Sequence, residues 1–228
     1  MKQAIVGVLV AVLCTAFLSA DLYIKAERYR NDTKDGMHDL WLGKDRAAFI
    51  TPEEIYIYNK KLKKVWIALS KQKIYVEADV PLDISKLLSP ETATRMSQYK
   101  IRGTVKRTDK TRTILDKKCV GYEMNQWVDL AGKKVNESKT MIWVYEDIGP
   151  GFAIFNELMD IIRQRTNRDE AFRKELLELK GAQLLLEINQ VYQGEAINYR
   201  IVVVEISEKN PSAGVYEIPK DFTKQEKL

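Results

Sequence analysis

The chain has 228 residues, of which 45% are hydrophobic and 30% charged, with a formal net charge of +5. That length and composition suit one domain with a sizeable core, and the small, dispersed positive excess speaks against a nucleic-acid binder. Of the two cysteines, Cys14 lies in an apolar leader, so once the leader is removed Cys119 stands alone and no internal disulfide can form.

The leader runs from a positive start at Met1-Lys2 through a charge-free apolar run, Ala4 to Leu18, to the small pair Ser19-Ala20. This is the layout of a cleavable secretory signal peptide, and the run is shorter than the roughly 20 apolar residues of a membrane span. The expected division is residues 1–20 as signal peptide and 21–228 as a single domain. An uncleaved anchor is the weaker alternative. Lipoprotein cleavage at Cys14 is disfavoured by bulky Leu13.

Short strands follow at the spacing of an antiparallel meander. The pattern predicts strands over 21–30, 36–42 and 46–51, with turns at Gly43-Lys44-Asp45 and Thr51-Pro52-Glu53-Glu54. Residues 55–78, IYIYNKKLKKVWIALSKQKIYVEA, read as three more strands joined by basic turns. Alternation places Val65, Ile67 and Leu69 on one face and Trp66 and Ala68 on the other, and sets Ile74, Val76 and Ala78 against Tyr75 and Glu77. One face reads as aliphatic and the other as aromatic, so both should be covered.

After Pro81, Asp83 and Ser89 with Pro90 are helix-start signals, predicting a short helical excursion over 84–98. Residues 99–106 alternate as a strand wet on one side, Asp109-Lys110 reads as a turn, and two long strands follow with Cys119 in the first, where burial is expected. Gly149-Pro150-Gly151 then breaks the pattern. Phe152, Phe155, Leu158, Met159 and Ile162 form one helical stripe. Thr166 is a new cap, Phe172, Leu176 and Leu179 continue an apolar face, and Gly181 is a plausible helix end. Two strands close the domain around a Gln193-Gly194-Glu195 turn, and VYEIPKDF reads as a short last strand.

Catalytic chemistry finds little footing. His38 is the single histidine. Beside Asp39 it could shuttle protons, but a surface or strand-edge histidine is the stronger reading. No nucleophile elbow, zinc motif or Cys-x-x-Cys occurs, and GPGFAI lacks the third glycine of a dinucleotide fingerprint. No catalytic residue, metal site or cofactor is expected, and the protein reads as a non-enzyme. What remains is a set of strand aromatics, which either pack as core and ladder or line an apolar groove.

The order of parts resembles the LolA and LolB kind of periplasmic lipoprotein-carrier superfamily. The matching stretches are KKVWIALSKQKIYVEA, GTVKRTDKTRTILDKKCVGYEMNQWV, SKTMIWVYEDI and the final YEIPKDF, so the resemblance covers nearly all of 21–222. It implies an α+β fold: a curved, incompletely closed antiparallel half-barrel with helices from Phe152 to Lys180 and around Leu87 covering its concave face. It also implies a periplasmic location.

On this reading the ligand-contacting residues are Trp66, Tyr75, Trp127, Trp143, Phe155 and Met159, with Arg102 and Arg112, and also Lys106, as polar anchors at the mouth. The expected partner is a hydrophobic or acylated ligand, with envelope proteins or a membrane surface next and no nucleic acid. Two functions follow: a carrier that buries an acyl chain between sheet and helices, or an envelope interaction module, such as a stress sensor or assembly factor, with no small ligand.

Overall fold

The computed structural model describes residues 20–147, 152–165, 169–192 and 195–228. The leader with Cys14, the break at 149–151, the Thr166 cap and Gln193-Gly194 lie outside the described residues.

Six strands open the domain: β1 (Asp21–Arg30), β2 (Thr33–Leu42), β3 (Arg46–Ile50), β4 (Glu54–Asn59), β5 (Lys64–Leu69) and β6 (Ile74–Asp79). Two short helices follow, α1 (Ile84–Leu87) and α2 (Pro90–Ser97). Asp83 and Ser89 cap them as the sequence predicts, each side chain accepting from a backbone N–H. Next come β7 (Tyr99–Ile114), β8 (Lys117–Leu130), β9 (Lys133–Tyr145), α3 (Ala153–Gln164) and α4 (Glu170–Leu176). The chain closes with β10 (Ala182–Tyr192), β11 (Glu195–Lys209) and β12 (Thr223–Lys224).

The strands form one open 12-stranded sheet in the order β12-β6-β5-β4-β3-β2-β1-β11-β10-β9-β8-β7. Every pairing is antiparallel except β12 on β6. This is the α+β half-barrel with helices over the concave face. β1 sits in the middle, between the meander β2–β6 and the long ribbon β7–β11.

On the concave face Ile24, Leu40, Tyr56, Ile67 and Val76 pack with Phe152, Ile154, Phe155, Leu158 and Ile161 of the α3 segment and with Leu87. Farther along, Tyr122, Ile142 and Val144 pack under Phe172 and Leu176 of α4. A Cβ at Gly103 would meet the Phe172 ring at 2.5 Å, so only glycine lets α4 settle there. Asp169, the α4 cap, donates its backbone N–H to Ile101 O at 2.9 Å. Glu175 takes the Val105 N–H at 2.6 Å, which covers part of the β7 edge.

Several expectations are corrected. Asp109-Lys110 is not a turn. β7 runs on to Ile114 with a bulge between Arg107 and Thr111, and the reversal is at Leu115-Asp116, both at positive φ (48° and 58°). The α3 stripe is rotated by one position: Ile154 and Ile161 are buried with Phe155 and Leu158, while Met159 and Ile162 are only partly buried. Gly181 does not cap α4, which ends at Leu176. It begins the approach to β9, where a Cβ would lie 2.3 Å from Tyr145 O. The face of Val65 and Ile67 is not purely aliphatic, because Tyr56 and Tyr58 lie on it. They pair with Ile67 and Val65 and sit in the concave core at 3% and 4% exposure.

VYEIPKDF is likewise no strand. The Tyr216 hydroxyl donates to Asp21 Oδ2 at 2.6 Å, and the Arg46 guanidinium lies 4.2 Å from the Tyr216 ring centre. Then Lys73 bonds Asp221 at 2.8 Å, and Thr223 N–H reaches Lys73 O at 2.9 Å. Asp21 and Arg46 alternate with the core residues Leu22 and Ala47, so they point to the outer face. Residues 210–222 thus leave β11, cross the outer face of β1 to β6 and return to the sheet as β12. Seven strand spacings make about 34 Å, within the roughly 45 Å reach of thirteen extended residues. This strap explains the absent polar alternation in residues 55–78. Outer-face Ala48, Ile57 and Ala68 are 0–3% exposed.

Candidate functional site

The meander places successive hairpin turns at alternate ends of the sheet. The β2–β3 and β4–β5 turns therefore share one end with the start of β1 and the α3 segment. Between them lies a cleft of about 960 Å³. Its floor is Leu22 and Leu42 from the strands with Phe152 and Ile154 from the helix segment. Its rim carries Lys44, Arg46, Lys60 and Lys61, with Asp21, Asp45 and Glu208 among them.

Most rim charges are engaged. Lys61 bonds Asp45 at 2.8 Å and holds that carboxyl below its ordinary range. Lys60 bonds Glu157 at 2.5 Å, and the Tyr58 hydroxyl donates to the same carboxylate at 2.8 Å. Burial works to raise Glu157, but those two hydrogen bonds outweigh it and its pKa falls. Tyr58 is pushed up to about 12, first by burial and then by its hydrogen bond to Glu157. Asp21, only 7% exposed, takes the Tyr216 proton donor and sits 3.8 Å from Arg46. Lys44 has no ion-pair partner among the described residues. The result is an apolar floor under a hydrated rim of mixed charge, on which Lys44 is the one cation without an ion-pair partner among the described residues, a form that suits an amphipathic ligand.

The predicted contact residues do not converge on it. Phe155 and Met159 belong to α3 and pack in or against the concave core, Phe155 edge-on to Phe152 at 5.7 Å. Trp66 and Tyr75 point to the strapped outer face. Trp127 lies at the β8 bulge with Lys134 Nζ 4.8 Å from its ring. Trp143 is 9% exposed, donates Nε1–H to Glu187 at 2.9 Å and lies under the Arg112 guanidinium at 5.7 Å.

Of the proposed anchors, Lys106 stands exposed on β7 with no ion-pair partner among the described residues, whereas the two arginines are committed. Arg112 bonds Glu187 at 3.3 Å, while Arg102 bonds Asp129 at 2.9 Å and reaches the α4 cap Asp169 at 3.8 Å. The space between α3 and the sheet is filled, with Leu158 at 0% and Ile161 at 1%. The rim was missed because Lys60 and Lys61 read as a solvated turn. The parity of hairpin ends was the available signal.

His38 and Asp39 point to opposite faces and form no pair. Asp39 takes the Tyr23 hydroxyl, while His38 lies edge-on to Phe49 at 5.6 Å with its buried Nε2 unbonded. β2 is an internal strand, so His38 is not at an edge. Burial, then Arg28, lowers its pKa. Cys119 is fully buried, and burial raises its thiol pKa. A second cleft of about 550 Å³ lies beside Arg107, Tyr122 and Glu146, where Arg107 and Tyr122 both bond the Glu146 carboxylate. Among the described residues no group of three or more His, Cys, Asp or Glu could hold a metal ion, and no helix is long and apolar enough to cross a membrane.

No family model matches the chain, and no curated protein matches it. Solved structures similar to it include PNGF-II, at 11% identity over 90% of this chain with a TM-score of 0.42. The chain spans only 31% of that protein. An outer membrane lipoprotein-sorting protein domain from Vibrio parahaemolyticus matches at 7% identity over 83% of this chain and 85% of its own, TM-score 0.28. A DUF1329 family protein from Desulfovibrio piger matches at 11% over 88% and 91%, TM-score 0.29. Likeness at this level carries neither activity nor ligand across. What the chain holds in its own right is an open, mostly antiparallel sheet with helices on its concave face and an apolar-floored cleft with a mixed-charge rim at one end.

Proposed function

We propose that the protein is a non-enzymatic periplasmic binder of a hydrophobic or acylated ligand, received at the strand-end cleft. The observation that supports this reading is the cleft itself: about 960 Å³, floored by Leu22, Leu42, Phe152 and Ile154 and rimmed by lysines. An acyl chain placed on the floor gains about 0.8 kcal/mol per buried methylene, and an anionic head meets Lys44, the rim cation without an ion-pair partner among the described residues. The leader supports the location.

The test is detergent-free purification from the periplasm followed by native mass spectrometry and titration with a fluorescent fatty acid. Co-purified lipid mass, or one-to-one uptake that Leu22→Arg abolishes without lowering Tm, is the expected result. A clean apo mass with no uptake overturns it.

A second reading, an envelope protein-interaction module, is favoured by the close packing of α3 on the sheet, where Leu158 and Ile161 are fully buried. Capture of a defined envelope protein by apo protein that takes up no lipid separates the two.

A further inference from the structure

We propose that the outer face of β7–β10 docks on an anionic phospholipid bilayer, independently of whether the cleft carries a ligand. The strap covers the outer face only from β1 to β6. Beyond it the register puts Lys100, Arg102, Thr104 and Lys106 of β7 on one face with Asp129, Trp127, Asn125 and Glu123 of β8. Lys139 of β9 and Asn189 of β10 continue the Asn125 row. Lys100, Lys106 and Lys139 are all exposed.

The carboxylates on this face are already spent. Asp129 holds Arg102 at 2.9 Å, Glu123 holds Lys110 at 3.0 Å, and Glu187 holds Arg112 at 3.3 Å. Those pairs are neutral, so the surplus is Lys100, Lys106 and Lys139, which have no ion-pair partner among the described residues. Half-buried Trp127 lies among them under Lys134.

The chemistry selects the partner. The free cations are lysines, hydrated point charges on flexible stems. They spread over a rigid polar sheet face, with about 20 Å between Lys100 and Lys106 along the strand. A plane of mobile anionic headgroups meets that layout, and a tryptophan body with a polar edge suits the interface. A duplex asks instead for cations following a groove.

The experiment is co-sedimentation of the mature protein with vesicles of phosphatidylcholine alone and of phosphatidylcholine with 30% phosphatidylglycerol. Wild type should sediment with the anionic vesicles only, and lose binding as salt shortens the screening length from about 10 Å at 0.1 M to about 3 Å at 1 M. Lys100→Glu, Lys106→Glu and Lys139→Glu together should weaken binding about tenfold or more. The charge-matched control Lys71→Glu, Lys220→Glu and Lys227→Glu should stay near wild type. The Gln versions of the first triple, checked for an unchanged melt, guard against misfolding. Equal loss in both triples, no preference for anionic vesicles, or tighter retention on duplex DNA than on vesicles overturns the proposal.

Discussion

The two halves of the sheet solve the same problem differently. From β6 to β1 both faces are covered, the concave one by α3 and the outer one by residues 210–222. From β11 to β7 the concave face is covered by α4 and much of the outer face is wet. The wet half shelters its few apolar groups under its own cations, as Arg112 does over Trp143 and Lys117 over Tyr145, with ring distances of 5.7 and 4.9 Å. The strapped half instead uses distant chain to cover Ala48, Ile57 and Ala68. One outer face is therefore fixed interior and the other is free to meet a partner.

Truncation after Lys209 should erase that difference and have the largest effect. Exposing about 200 Å² of apolar surface costs about 5 kcal/mol, so urea unfolding should show a large drop, with dye binding to the newly exposed aromatics. A truncated chain as stable as the full one removes the strap from the account.

Tyr216→Phe isolates one anchor. It leaves the ring under Arg46 but deprives nearly buried Asp21 of its hydroxyl donor, and about 1–2 kcal/mol should be lost in denaturant melts. Lys134→Met, which strips the cation from Trp127 on the wet half, should cost less than about 1 kcal/mol. Equal costs would mean the two outer faces are not different in kind.

Acid supplies the subtlest separation. His38 is held below its ordinary pKa by burial and by Arg28, so the unfolded chain takes up the proton first as pH falls. Stability should be full above about pH 6.5 and decline below it. His38→Gln should flatten that limb, because the chain has no other histidine. A second decline follows at lower pH as carboxylates such as Glu77 protonate. Its pKa is lowered to about 2 by Lys64 and by Lys224 of β12, so this limb loosens the strap's end. An unchanged curve in the histidine variant would place the ring in water.

Much of this architecture is legible in the sequence, because strand alternation and turn residues act locally. β1 and the strands of residues 55–78 emerge from alternation and basic turns, and Asp83 and Ser89 announce their helices. Leu115-Asp116 was hidden because Asp109-Lys110 has the better turn composition. The bulge accommodates that pair only through pairing with Gly121's neighbours on β8. The strap could not be read, since VYEIPKDF has strand composition and its role depends on Asp21, Arg46 and Lys73 far away in sequence. The candidate site was harder still. Trp66, Trp143 and Phe155 look equivalent as aromatics, but Phe155 sits on α3 in the concave core, Trp66 on the regular meander, and Trp143 on β9, whose register against β10 shifts at Gln183/Leu185.

The central place of β1 has a kinetic consequence. β2 to β6 and β7 to β9 can each zip from local hairpins, but β1 must find β11, with Asp21 opposite Lys209. That encounter closes nearly the whole chain into a loop, the kind of nonlocal pairing that puts β-rich domains among the slow folders, on millisecond to second scales. Two preformed ribbons with unjoined edges should then wait on a single late seam, and a mutation at the β1–β11 seam should slow refolding more than an equally buried change within either hairpin stack.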